Sequence, residues 1–250
     1  MIRTDLHIHT NFSDGNDSPR AMVLAALDRG LETIGFADHS YTEFDVSYCM
    51  RAERIEEYVS TVAALREEFR GSIEILCGVE QDLDSTFGTE PFEYAVGSVH
   101  YLALGDEHVA VDWKPEILLD AAERYFGGDF YALIECYYSR VASLPEAQEF
   151  DSIGHFDLIG KFNEGGRLFD PDHPRCRAAW QAAADRLLRT GKPFEINTGA
   201  IARGYRSEPY PSREMIDYIR ARGGRLLLSS DSHSTDTLAF EFDKWEHLLF

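Results

Sequence analysis

The chain has 250 residues, 44% of them hydrophobic, and a formal net charge of −20. That length fits one large domain, read here as residues 1–250, with ample apolar material for a core. The acidity argues against a surface that tracks nucleic acid, which has to be basic, and no apolar run approaches the roughly 18 residues of a membrane helix.

A small phosphate ester stays open as a ligand, because bound metals make a positive pocket in an acidic protein. The four cysteines (Cys49, Cys77, Cys136 and Cys176) are scattered and form no CxxC. They read as reduced thiols of a cytoplasmic protein rather than a disulfide framework or a zinc knuckle. The first residues enter a strand directly, with no signal-peptide pattern.

In chain order, residues 4–15 read as a short strand whose end carries His7 and His9, followed at once by a polar turn. Strand side chains alternate, so both imidazoles point the same way and can grip one divalent metal. A half-buried strand exposing two histidines would look the same. Asp14 follows in a polar turn. Ser18-Pro19 starts a helix as N-cap and first helical residue, and Gly30 suits its far end. A second strand, 33–37, runs into Asp38-His39. A helix over about 52–70 closes at Gly71. A third strand, 73–79, ends at Glu80, and a fourth, 94–99, ends at His100. Helical patterns near 116–125 and 130–143 fill the next gap. A short fifth strand, 152–154, runs into His155. A helix over about 175–189 stops at Gly191, and a sixth strand covers 194–197. Ser212 is placed to cap a helix running to 222. A seventh strand, 226–229, leads into Asp231-Ser232-His233.

This alternation implies parallel strands joined by crossover helices. About seven units predict an α/β fold, a closed or nearly closed barrel with its site at the carboxyl ends of the strands. A doubly wound open sheet is the alternative. In a barrel, His7, His9, Asp14, His39, Glu80, His100, His155, Asp231 and His233 converge on one mouth. Six of the nine histidines are in that set. His108, His173 and His247 read as surface residues. Buried together without metal, the nine groups would carry severe desolvation cost. A multinuclear centre satisfies them. Nitrogen and oxygen ligands without cysteine suit Zn, Mn or Fe(II) in a hydrolytic role. About three divalent ions against three carboxylates leave an excess of about +3, which attracts a phosphate monoester. A bridging water becomes the nucleophile. GxSxG is absent, so no serine elbow is indicated.

The motifs DLHIHTNFSDG, GFADHS, GVEQD, GSVHY, GHFDLIGKFN, EINTGAIARGYR and SSDSH, in that order, resemble the polymerase-and-histidinol-phosphatase (PHP) superfamily, in its stand-alone histidinol-phosphatase branch. The resemblance spans nearly the whole chain. It implies a distorted (β/α)7 barrel of TIM-barrel type and a trinuclear centre of Zn, Mn or Fe ions. By position, one metal would take His7, His9, Glu80 and Asp231. A second would share Glu80 and take His100 and His155. The third would take Asp14, His39 and His233, with Asp14 standing where related members use His. The implied activity is that of a phosphoric monoester hydrolase: L-histidinol phosphate is cleaved to L-histidinol and phosphate by a metal-bound hydroxide. Glu80, Asp231 and His233 are the expected catalytic groups. Another small phosphate monoester or a nucleotide is the alternative substrate.

Lys161 and Arg203, in loops after the fifth and sixth strands, are expected to bind phosphate, and Asn197 to bind substrate or support a ligand histidine. Arg206 reads as a solvated loop charge. Glu43, Asp45 and Glu164 are the candidates to meet the substrate amine. A proofreading module would need a polymerase body or a basic face. A non-enzymatic scaffold would have lost ligands. The amidohydrolase barrels share HxH but usually end on a lone Asp rather than DSH.

Overall fold

The computed structural model describes residues 2–250. Its strands are β1 (Thr4–Ile8), β2 (Thr33–Phe36), β3 (Glu74–Asp82), β4 (Tyr94–Ser98), β5 (Tyr101–Leu104), β6 (Glu107–Ala110), β7 (Ser152–Ile153), β8 (Phe194–Asn197) and β9 (Leu226–Ser229). Seven of them form one parallel sheet in the order β1-β2-β3-β4-β7-β8-β9. The sheet meets itself just past its carboxyl edge. There His9 N donates to Ser232 O at 2.8 Å and Ser232 N donates to His7 O at 3.2 Å. At the amino edge β1 and β9 part around a groove lined by Ile2, Leu6 and Leu226. The result is a distorted (β/α)7 barrel, nearly closed, rather than a doubly wound open sheet.

The helices are α1 (Pro19–Asp28), α2 (Ile55–Glu68), α3 (Pro115–Phe126), α4 (Phe130–Ala147), α5 (Pro174–Leu188), α6 (Gly199–Ala202), α7 (Arg213–Ala221) and α8 (Phe242–Trp245). Ser18 caps α1 by accepting from Ala21 N, and Gly30 follows its end at φ 73, a backbone conformation that costs a β-carbon dearly. Ser212 precedes α7, but its side chain makes no capping bond, contrary to the sequence reading. The antiparallel β5–β6 hairpin was not foreseen either. Its strands have only four residues each, too few for an alternation to stand out.

Alternation along the strands separates two kinds of burial. On β8, Phe194 and Ile196 pack into apolar clusters, while Glu195 and Asn197 take the opposite face, and all four are buried. The largest apolar cluster joins Trp180, Tyr137, Phe156 and Phe194, and a second gathers Met22, Tyr58, Val62 and Ile75. Hydrophobic cohesion therefore comes from the helix-facing sides of the strands. That leaves the inner face free to carry polar groups at the mouth. Among the described residues, no helix is long and apolar enough to cross a membrane.

Candidate metal centre

Parallel strands bring their carboxyl ends to one rim, so every chain segment leaving a strand starts there. His7 lies on β1 and His9 and Asp14 just after it. His39 follows β2, Glu80 lies on β3, His100 follows β4, His155 follows β7, and Asp231 and His233 follow β9. Four overlapping groups result, each with ligand atoms within 4.8 Å of one another: His9, Asp14, His39 and His233; His7, Glu80 and His155; His7, His9 and Asp231; His39, Glu80 and His100. Together they contain all nine sequence candidates. The grouping also differs in detail from the allotment by resemblance, since His9 joins the Asp14 set and His7 joins His155.

Glu80 is the hub. Its Oε2 lies 2.8 Å from His39 Nδ1, 3.4 Å from His7 Nε2 and 3.5 Å from His9 Nε2. Its Oε1 lies 2.7 Å from His155 Nε2 and 3.3 Å from His100 Nε2. Asp231 Oδ1 is 3.2 Å from His9 Nε2, and Asp14 Oδ1 is 3.3 Å from His233 Nε2. Asp231 holds φ 50, a left-handed conformation rare outside glycine. Arg203 braces it by donating to its carbonyl at 3.1 Å and to Oδ2 at 3.0 Å.

Several of these buried atoms have no hydrogen-bond partner: His7 Nε2, both ring nitrogens of His9 and His155 Nδ1. Buried polar atoms are normally paired, so a cluster of orphans has to be satisfied by something else. Imidazole nitrogens and carboxylate oxygens aimed at shared points are the donor set of a divalent metal, and they fit one here. The electrostatics agree. Burial pushes the His9 imidazolium down to about 3, helped by His233 and His39, so the ring is neutral and one nitrogen offers a lone pair. Burial alone would raise Glu80, but His100, His39 and His7 outweigh it and hold the carboxylate well below its usual range. Asp231 is likewise raised by burial and pulled well below its usual range by Arg203 and His7.

A cavity of about 400 Å³ opens over this floor, with Asp45, Tyr48, Asp112, Trp113, Lys161 and Arg203 among its walls. Lys161 Nζ donates to Asp112 O at 2.8 Å and to Asp112 Oδ2 at 3.1 Å. Arg203, besides bracing Asp231, lies 3.1 Å from His233 Nδ1. Both basic candidates therefore reach the mouth. Asn197 does not. It is fully buried, Nδ2 donates to Glu195 Oε2 and Oδ1 accepts from Gly199 N, which corrects the substrate-contact reading. Its place on the strand turns it inward beneath the floor, so of its two sequence readings the supporting one is where it stands.

Arg206 is no solvated loop charge. Its side chain is only 9% exposed, pairs with Asp157 at 3.0 Å and lies over the Tyr210 ring. Of the amine-facing candidates, Asp45 lines the cavity. Glu43 is exposed, and Glu164 is tied to Ser207 beside a different groove. Sequence reasoning missed Glu195 and Asp82, which bond the far nitrogens of His7 and His100 at 2.8 and 2.9 Å. Their signal was a carboxylate inside an otherwise buried strand. It also missed Asp112 and Trp113, whose segment is placed by the unforeseen hairpin.

Comparison with known proteins gives a consistent picture. The PHP domain family model matches residues 5–199. The "Probable histidinol-phosphatase" of Deinococcus radiodurans is 31% identical over 250 residues, covering 95% of this chain and 89% of its own. The structure of histidinol phosphate phosphatase from Lactococcus lactis subsp. lactis, complexed with Zn, L-histidinol and phosphate, superposes with a TM-score of 0.74. It is 24% identical, over 99% of this chain and 92% of that one. An unconfirmed histidinol phosphatase from Listeria monocytogenes superposes with a TM-score of 0.83 at 17% identity, over 97% of this chain and 99% of that one.

Proposed function

Because the chain belongs to the PHP domain family, we propose that it is a metal-dependent phosphatase hydrolysing L-histidinol phosphate to L-histidinol and phosphate. The observation that carries this reading is the array around Glu80, with orphaned nitrogens buried beneath the cavity and Arg203 and Lys161 on its walls. We read residues 1–250 as one phosphoesterase domain of a cytoplasmic enzyme.

His7, His9 and Asp231, then Glu80, His100 and His155, then Asp14, His39 and His233 would hold three divalent ions of Zn, Mn or Fe, Glu80 being shared. When bound, such ions supply Lewis acidity to water and to phosphoryl oxygens. The remaining work belongs to the chain. Arg203 offers a planar fork to the phosphate while its other contacts keep Asp231 in place. Lys161 adds a point charge, held toward the mouth by Asp112. Burial of Glu80 and Asp231 keeps water from competing for their oxygens. L-Histidinol phosphate also carries an amine and an imidazole. The Asp45 carboxylate at the wall suits the amine, and Tyr48 and Trp113 offer aromatic faces to the ring.

Phosphate release by purified protein loaded with Zn or Mn, across a panel of monoesters, tests the substrate. A kcat/KM for L-histidinol phosphate at least about tenfold above a neutral alkyl phosphate is expected, since a site built to pair a polar group rejects analogues lacking it. A ratio near one, or preference for a nucleoside monophosphate, would replace the substrate while leaving a metal phosphoesterase.

A further inference from the structure

Two carboxylates outside the nine-residue array each grip one of its histidines from behind. Glu195 on β8 is buried, and its Oε1 lies 2.8 Å from His7 Nδ1. Its Oε2 accepts from His155 N at 3.2 Å and from Asn197 Nδ2 at 3.3 Å. Asp82, at the end of β3, is equally buried. Its Oδ2 accepts from His100 N at 3.0 Å and lies 2.9 Å from His100 Nδ1, and its Oδ1 accepts from Asp84 N at 2.8 Å. Each carboxylate already accepts from two other donors, so in these contacts it is the acceptor and the partner ring nitrogen carries its hydrogen at Nδ1. That leaves the opposite nitrogens, His7 Nε2 at 3.4 Å and His100 Nε2 at 3.3 Å from Glu80, as the ones that can give up a proton and ligate.

We propose that Glu195 and Asp82 are positioning residues that lock His7 and His100 as Nδ1–H tautomers, so that both rings offer Nε2 to the metal centre. Glu195 does more than hold one ring. Its second oxygen fixes the backbone of His155, so one carboxylate sets the spacing between groups leaving β1 and β7. Asn197, in the supporting role that was one of its two sequence readings, steadies that carboxylate. The proposal rests on the metal-binding part of the functional reading and not on the substrate.

The chemistry of these pockets makes amide substitutions informative. Three donors face each carboxylate. In Glu195→Gln the amide NH2 has to face either His7 Nδ1 or the pair His155 N and Asn197 Nδ2. The first choice forces His7 into the Nε2–H tautomer, which cannot ligate through that atom. The second sets donor against donor. Asp82→Asn faces the same conflict at His100. Neither change alters side-chain volume appreciably, so packing alone predicts little effect.

The experiment uses the zinc-loaded full chain and two readouts besides turnover. Zinc affinity by competition with a chromophoric chelator should fall about tenfold to a hundredfold in Glu195→Gln and in Asp82→Asn, the usual cost of losing an outer partner of a ligand histidine. Long-range ¹⁵N spectra of histidine-labelled protein should show Nδ1–H at His7 and His100 in the wild type. Glu195→Gln should disturb the pattern of His7 and spare His100, and Asp82→Asn the reverse. Unchanged affinity and tautomers in the folded variants would overturn the proposal, as would equal disturbance of both rings by either variant. Should a variant not fold, the wild-type spectrum still decides, because an Nε2–H signal at His7 and His100 contradicts the assignment. Failure to hydrolyse L-histidinol phosphate with these results intact would remove the substrate and leave the positioning role standing.

Discussion

Asp5 and Asp38 are as deeply buried as Glu80 and Asp231, and all four sit on or just beyond strands of the same sheet. Their surroundings differ in kind. Asp5 accepts from Ser230 N, Ser230 Oγ and Ala239 N. Asp38 accepts from the backbone and hydroxyl of both Thr10 and Ser13. Glu80 instead faces ring nitrogens of His7, His9, His39, His100 and His155, and Asp231 faces His9 and Arg203. Backbone and hydroxyl hydrogens cannot be exchanged for a cation without undoing the fold. A ring nitrogen can give up its proton and ligate. The first pair are clamps that hold loops to strands, and the second pair are ligands in waiting. Burial alone does not separate them, but the kind of donor does.

The sharpest way to break this contrast is Glu80→Ala. Removing the hub should strip metal from both groups it joins and abolish nearly all turnover, a loss of at least about a thousandfold in kcat/KM. Metal analysis of the purified variant and a phosphate-release assay check both halves. Full metal occupancy, or turnover like the wild type, would make Glu80 another clamp.

That contrast was only half visible in the sequence. The seven parallel strands were legible because each is a short apolar run followed by a polar turn. The nine rim groups were legible because a strand that ends on His, Asp or Glu delivers that residue to the mouth whatever its neighbours do. Which carboxylates clamp and which face histidines was not legible, since Asp38 and His39 are adjacent and only the fold says that one turns to Thr10 and the other to Glu80. Asn197 kept two readings in the sequence for a related reason. Its distance from the strand end suited a substrate contact, but the side chain's company is Glu195, which reaches His7 on β1 across 188 residues. Arg206 looked like any loop arginine until the fold set it against Asp157 and Tyr210.

A smaller effect is expected from Arg203→Ala, because Arg203 belongs to both sides of the comparison. It clamps Asp231 and also lines the cavity, with 31% of its side chain exposed. Charge-assisted hydrogen bonds to phosphate contribute roughly 1.5–3 kcal/mol each, so kcat/KM should fall about tenfold to a hundredfold. Metal content should fall less than in Glu80→Ala, since the histidines remain. Steady-state kinetics together with metal analysis separate the two roles. A loss of metal with kinetics unchanged per bound ion would assign Arg203 to clamping alone.

The gentlest test leaves turnover aside and reads protons. Burial outweighs the donors from Ser230 and Ala239 and pushes Asp5 up to about 6, and burial does the same to Asp38 against Ser13 and Thr10. The sign follows from linkage. A carboxyl whose native pKa lies above its unfolded value binds its proton more tightly in the folded chain. Its stabilising contribution is complete below about 4 and is lost as pH rises through about 6. Glu80 and Asp231 shift the other way, so they stay ionised throughout that window. A titration of side-chain carboxyl ¹³C shifts between pH 4 and pH 7 should therefore show midpoints near 6 for Asp5 and Asp38 and flat traces for Glu80 and Asp231. Ser230→Ala removes a hydroxyl donor that favours the ionised form, so it should move the Asp5 midpoint higher still. Four flat traces would mean that the donors, not burial, set the clamps' charge, and the two kinds of carboxylate would then differ only in geometry.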